Sequence, residues 1–282
     1  MTSPDRDPVP VESDGTAHPT ETGRGAEPDP AVTESRSRSF PGARGPRRER
    51  SLPFGVETLV LLAVAVGLAV LVKTFLLQVF YIPSESMEPG LVENDRIVVQ
   101  KVSYWGGGTP ERGDVVVFQD PGDWLGEEET RTASNPVTKG LDALGLYPGG
   151  GHLVKRVVGV AGDTIVCCDE AGRISVNGLP MEEDAYVLDE KNIKCRGPML
   201  GDCDWQAGPV PEGTVFVMGD NRGHSADSSF QMCAEGDTAC VPGDEFVPVD
   251  DIVGKVMAVF WPVGHAGLLD RPDVFADVPD PS

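Results

Sequence analysis

Apolar and polar positions are spread very unevenly along this chain. Up to about residue 52, large apolar side chains are almost absent and Pro, Gly, Ser, Thr and charged residues dominate. A segment of that kind buries too little apolar surface to offset its chain entropy, which predicts a disordered tail over residues 1–55. From Leu59 to Val72 the sequence is then apolar without a break, and Phe75 to Ile82 continues the run with a single Gln. Lys73 and Thr74 interrupt it. About 20 helical residues at 1.5 Å each cross a hydrocarbon core when a lysine near one end reaches the interface. The pattern predicts a transmembrane anchor over residues 56–80, because the polar tail before it supplies no core to bury such a helix.

Past the anchor the pattern shortens. Arg96–Gln100, Asp114–Phe118, Leu153–Val160, Thr164–Val166, Arg173–Val176, Thr214–Met218 and Val253–Phe260 are short and rich in β-branched residues, with Gly, Pro, Asn and Asp between them. These are strand and turn signals. Only Val137–Leu146 has helical spacing. The class predicted is mainly β, mostly antiparallel, preceded by one transmembrane helix.

Charge adds orientation. Arg44, Arg47, Arg48 and Arg50 precede the anchor, whereas Glu85, Glu88, Glu93 and Asp95 follow it. The positive flank stays in the cytoplasm, which puts the β domain on the extracytoplasmic side of the cell membrane. A cleaved signal peptide is the rival, and Ser84-Glu85-Ser86 has a small-x-small pattern. The preceding tail is too long for an n-region and the apolar part exceeds an h-region, so a retained anchor is expected. The net charge of -22 over 282 residues argues against a nucleic-acid partner. Phosphate loops, dinucleotide fingerprints and His-Glu-x-x-His are missing from the sequence, and neither a cofactor nor a metal is expected.

All six cysteines (Cys167, Cys168, Cys195, Cys203, Cys233, Cys240) lie beyond the anchor, on the oxidising side, which favours disulfides. Short loops favour Cys195–Cys203 and Cys233–Cys240. The adjacent Cys167 and Cys168 are free to reach other partners or to stay reduced.

Two serines, Ser84 and Ser86, stand just past the anchor in a segment bounded by Pro83 and Pro89 that cannot continue a helix. A serine hydroxyl needs a base to become a nucleophile. A lysine serves only when apolar surroundings disfavour its charge. In the strand Leu153–Val160, Leu153, Lys155 and Val157 share one face and Val154, Arg156 and Val158 the other. Lys155 thus rises from an aliphatic surface; the plainer reading is a lysine snorkelling from a sheet edge. Lys73 belongs to the anchor, Lys139, Lys191 and Lys194 lie in polar loop sequence, and Lys101 and Lys255 precede no comparable turn, which favours Lys155. A histidine base is the competing design: His152 and His224 are its candidates, with Asp220 and Asp227 near His224, whereas His265 has no such neighbours. The segment Met218–Ser228 reads as a polar turn after a strand. Its Ser225 is suited to hold a lysine nitrogen, and Asp227 with Arg222 to fix the loop by a charged pair.

Taken together, the segments resemble the bacterial type I signal peptidase family. Ser84–Leu91 is similar to its S-x-S-M-x-P-T-L, Gly113–Phe118 to G-D-[IV]-V-V-F, Lys155–Asp163 to K-R-[VI]-[VA]-G-[LV]-P-G-D, and Gly219–Ser229 to G-D-N-R-D-N-S-x-D-S-R. The resemblance spans roughly residues 56–262. It implies a membrane endopeptidase that removes signal peptides from exported preproteins after small residues, with Ser86 as nucleophile and Lys155 as general base. It places Ser84 beside the Ser86 N–H in an oxyanion hole, and Ser225, Asp227, Asp220 and Arg222 in support. Ile82, Pro83, Met87, Leu91 and Val154 fall on its substrate-pocket positions. The expected partners are signal-peptide-bearing preproteins and the lipid bilayer. The implied fold is a coiled antiparallel β-sheet catalytic core, residues 81–163 and 214–264, with a more variable second β lobe over 164–213 and a flexible C-terminal tail over 265–282. Departures are Gly90 for Thr, Ala161 for Pro, Gly223-His224 for Asp-Asn, Leu153 for an aromatic, and Ser229 for an Arg that would pair with Asp227. Two other classes compete: a single-pass surface protein whose stapled β domain binds a partner, and a penicillin-binding-type acyl enzyme. The second requires Ser-x-x-Lys and Lys-Thr-Gly, which the chain lacks.

Overall fold

The computed structural model describes residues 53–122, 124–125, 151–188, 195, 203–234, 236–238 and 240–281. The tail expected over residues 1–55 lies outside them except for its last three residues, and the helix expected at Val137–Leu146 lies outside them entirely. Helix α1, Phe54–Phe75, is long and apolar enough to cross a membrane, and none of its residues is buried. Glu57 in its first turn and Lys73 in its last complement the helix dipole.

The helix ends earlier than the apolar run predicts. The helix stops at Phe75, and Leu77–Tyr81 forms strand β1, paired antiparallel with β2, Arg96–Gln100. Val79, Phe80 and Tyr81 favour an extended chain, and β2 satisfies their backbone. A continuous apolar run does not reveal where the period changes from 3.6 to 2.

Strands β3 (Val115–Gln119), β4 (His152–Gly159), β9 (Thr214–Met218), β10 (Val247–Pro248) and β11 (Ile252–Trp261) complete an antiparallel sheet in the order β1-β2-β11-β3-β4-β9-β10. Strand β12 (Gly267–Leu268) adds to β11. Interruptions of register within β11, and between Val157 and Gly159 of β4, bend these long strands. A second sheet joins β7 (Leu179–Pro180), β6 (Ser175–Val176), β5 (Ile165–Cys167) and β8 (Trp205–Ala207) in that order. Its strands fall within residues 164–213.

The two sheets share a core. Val158, Phe216 and Met218 of the first pack with Ile165, Val176 and Trp205 of the second. Gly159 lets them approach: a Cβ there would lie 2.6 Å from Ile165 Cδ1. Two further clusters fill the first sheet, one around Ile82, Met87, Leu91, Ile97 and Val117, the other around Val116, Phe118, Leu153, Val157 and Val217.

Residues 265–281 correct the expectation of a flexible tail. Arg271 binds Asp114 and Glu111, Phe275 and Val278 are buried in the shared core, and Asn177 donates to Pro279 O. Isolated apolar residues in a Pro/Asp-rich segment carry no periodic signal, but each finds a prepared site. Disulfides Cys195–Cys203 and Cys233–Cys240 have the expected partners, whereas Cys167 and Cys168 are bonded to one another.

Candidate active site

Ser86 lies in the turn connecting β1 to β2. Its apolar neighbours Ile82, Met87 and Leu91 are 2, 1 and 1 % exposed and pin the turn into the core. Backbone bonds from Ile82 N to Asp95 O and from Asn94 N to Ile82 O close its base. Asp95 is fully buried; it accepts from Val92 N and is bound by His265 Nδ1 at 2.8 Å. His265 therefore has an acidic neighbour after all, 170 positions away in sequence.

Lys155 sits in the middle of β4, opposite Val116 of β3. Leu153 and Val157 belong to one apolar cluster while Val154 packs against another, as alternation along the strand requires. Lys155 is 4 % and Ser86 8 % exposed, and Lys155 Nζ donates to Ser86 Oγ at 2.8 Å. Snorkelling at a sheet edge is thereby corrected: β4 is flanked by β3 and β9, and the amine points at a hydroxyl. Ser84 Oγ lies 3.3 Å from Ser86 Oγ. Pro83 is exposed beside this pair, and Val154 is half-buried.

The loop after β9 reaches the same point. Asn221 donates its backbone N–H to Ser86 O and its side-chain Nδ2 to Glu85 O, each at 3.1 Å. Gly219 has to be glycine, since an added Cβ would lie 2.5 Å from Ser86 O and collide with Ser225 Oγ. Asp227 caps the short helix α2, Ser228–Gln231, and accepts from Ser225 Oγ, Ser229 Oγ, Ser229 N and Gly219 N. Ser229, standing where the resemblance has an arginine, thus supplies Asp227 with two neutral donors in place of a cation.

Arg222 does not form the pair with Asp227 that the sequence suggested. Its fork grips Glu183 of the second lobe at 2.6 and 3.0 Å, and its Nε donates to Gly219 O. Asp220 accepts both arms of Arg156, at 2.8 and 2.6 Å. Burial pushes the Asp220 carboxyl up, with Arg156 acting against that rise. Burial also opposes the charge on Arg156 and Arg222, but Asp220 and Glu183 outweigh it and hold both guanidiniums protonated.

These bonds weigh against the histidine alternative. The carboxylates near His224 in sequence serve other groups, and His224 Nε2 lies 4.0 Å from Glu85 Oε1 with its side chain 57 % exposed. The ring of His152 tilts against Phe80. Lys255 is bound to Asp114 and Lys101 to Thr74 O.

A family model described as signal peptidase, peptidase S26, matches residues 55–261. The chain belongs to that family. Among signal peptidase relatives, the probable signal peptidase I of Mycobacterium leprae (strain TN) is 34 % identical over 255 residues, 84 % of this chain and 85 % of the relative. Signal peptidase I of Mycobacterium tuberculosis (strain ATCC 25618 / H37Rv) is 37 % identical over 231 residues, 76 % and 74 % of the two chains. That of Leptolyngbya laminosa is 33 % identical over 234 residues, 82 % and 91 %. The chain is a peptidase of the signal peptidase family, a hydrolase with an apolar helix near its N-terminus that suits a membrane-anchored enzyme. The surface-protein and penicillin-binding readings give way to this membership.

Sequence reasoning missed Glu183, Tyr186 and the role of Asn221. Glu183 stands in the acidic run Glu182-Glu183-Asp184, which looks like a solvated turn. Nothing local distinguishes the buried carboxylate from its exposed neighbour.

Proposed function

We propose that this signal-peptidase-family enzyme cleaves exported preproteins by a serine nucleophile and a lysine base, with Ser86 and Lys155 in those roles. The observation that carries the reading is the 2.8 Å contact between two buried groups, Lys155 Nζ and Ser86 Oγ. That separation serves proton transfer in either direction. With the amine neutral, Ser86 Oγ bonds to the scissile carbonyl carbon as its proton passes to Nζ. The proton then goes to the leaving amine as the C–N bond breaks, and a water activated by the same amine releases the acyl group.

The developing oxyanion is met by Ser86 N–H and Ser84 Oγ, and losing one such donor costs about 3–4 kcal/mol of transition-state stabilisation. Half-buried Val154 and exposed Pro83 would offer a small aliphatic surface to the substrate, with Ile82, Met87 and Leu91 packed beneath it, and such a surface supports a preference of the Ala-x-Ala type. The basic flank before α1 and the acidic flank after it support a cytoplasmic N-terminus and an extracytoplasmic site. Only one residue, Leu76, separates α1 from β1, and the short tether keeps the site at the membrane face where a signal-sequence junction emerges.

The test is turnover of a preprotein in liposomes by S86A and K155A. Both are expected to lose at least about 10⁴-fold in kcat while remaining folded. Full activity in K155A would remove the lysine mechanism and return His224 to consideration.

A further inference from the structure

The second lobe delivers one carboxylate to the first, and it lies where two sets of bonds converge. Glu183 follows β7 and is fully buried. One arm runs through Arg222, which grips Glu183 and donates to Gly219 O; the same loop then ties the Ser86 turn through Asn221. The other arm runs through Tyr186, whose hydroxyl donates to Glu183 Oε1 at 2.6 Å. The guanidinium of Arg156 lies 4.6 Å from the Tyr186 ring centroid, and Arg156 is the residue next to Lys155. Arg156 closes the circuit by binding Asp220 of the loop. Backbone contacts run alongside: Leu188 N donates to Asp220 O, and Val187 forms a bridge with Pro89, three residues past Ser86.

A buried carboxylate is costly to desolvate, and apolar packing can hold two lobes together without one. What apolar packing lacks is direction. Glu183 directs one arginine, Arg222 on the loop bonded to the Ser86 turn, and holds the Tyr186 ring against a second, Arg156, on the strand carrying Lys155, whose guanidinium is bonded to Asp220 and Gly113 O. We infer that Glu183 is a positioning residue that sets the spacing of Ser86 and Lys155, so that the second lobe is a working part of the catalytic device. This rests on the Ser86–Lys155 reading given above. Glu183 touches neither substrate nor reacting atoms; it acts through Arg222 and through Tyr186 with Arg156.

The full-length enzyme with a preprotein substrate tests the inference, at a temperature where circular dichroism shows each variant folded. E183Q keeps the shape of the side chain and removes its charge. Its kcat is expected to fall about 10²-fold, the scale of an ångström-sized misplacement, with KM changed less than about twofold. Y186F, which removes one hydroxyl, is expected to lose about tenfold in kcat with the same split. E182Q alters the exposed neighbour that pairs with Arg173 and is expected to behave as wild type. A role confined to holding the lobes together predicts lower thermal stability in E183Q with unchanged kcat, and that result overturns the inference. If E183Q does not fold, Y186F decides alone, and wild-type kcat in Y186F overturns it. Failure here is separable from failure of the dyad: an inactive K155A beside a normal E183Q sinks only this inference, while an active K155A sinks the dyad.

Discussion

The turn that carries Ser86 and the loop that carries Ser225 meet at one point, yet they are held by different physics. The turn is pinned by apolar side chains, Ile82, Met87 and Leu91, and closed by backbone hydrogen bonds at its base. The loop has few apolar anchors of its own. Asp220, Arg222 and Asp227 are each 3 % exposed or less, and each is saturated by charged or polar partners, two of which, Arg156 and Glu183, come from distant parts of the chain. Apolar packing tolerates small changes of shape, whereas a buried polar network fails sharply when one member is removed. Ser86 is therefore held by the forgiving kind of structure and its surroundings by the exacting kind.

Removing the loop's central acceptor should break this contrast most severely. D227A leaves Ser225 Oγ, Ser229 Oγ and two backbone N–H groups without their acceptor. It is expected to cost about 3–5 kcal/mol of stability and to lower kcat markedly. Chemical denaturation and preprotein turnover measure the two effects. On the turn, M87A removes a side chain that is 1 % exposed and should cost about 2–5 kcal/mol, the usual range for a buried Met. Preprotein turnover by folded M87A should fall less than in D227A. Equal losses would mean that the two regions are not held differently.

The smallest expected effect is one of pH and involves the C-terminal segment. Burial opposes ionisation of Asp114, but hydrogen bonds from Lys255 and Arg271 outweigh it and hold the carboxyl below its ordinary range. A depressed folded-state pKa contributes stability that is fully present above the unfolded value of about 4 and is lost as pH falls through the folded value. Arg271→Gln removes one partner, so its acid unfolding, followed by circular dichroism, should occur at a higher pH than that of the wild type. An unchanged acid midpoint would show that residues 265–281 do not contribute through Asp114.

The same contrast explains what was legible in the sequence. Strands such as Arg96–Gln100 and Thr214–Met218 announce themselves by β-branched alternation, and their bounds agree with the structure. Strand β1 was hidden because its apolar residues continue those of α1. That Ser86 and Lys155 lie together was legible because ordered motifs surround them. Glu183 and the contact of Asp95 with His265 were not, because each depends on partners brought together only by the fold. For the same reason Arg222 was given the wrong partner: Asp227 is near in sequence, whereas Glu183 is near in space.

The central claim, that a neutral amine at position 155 activates Ser86, is tested most directly by rebuilding that amine. Among the described residues every cysteine is held in a disulfide, which leaves a new thiol in K155C as the group to alkylate. K155C should be inactive toward a preprotein; 2-bromoethylamine, which restores a lysine-like amine, should return activity, and iodoacetamide, which adds a neutral amide, should not. Activity in untreated K155C, or recovery with either reagent alike, would contradict the account.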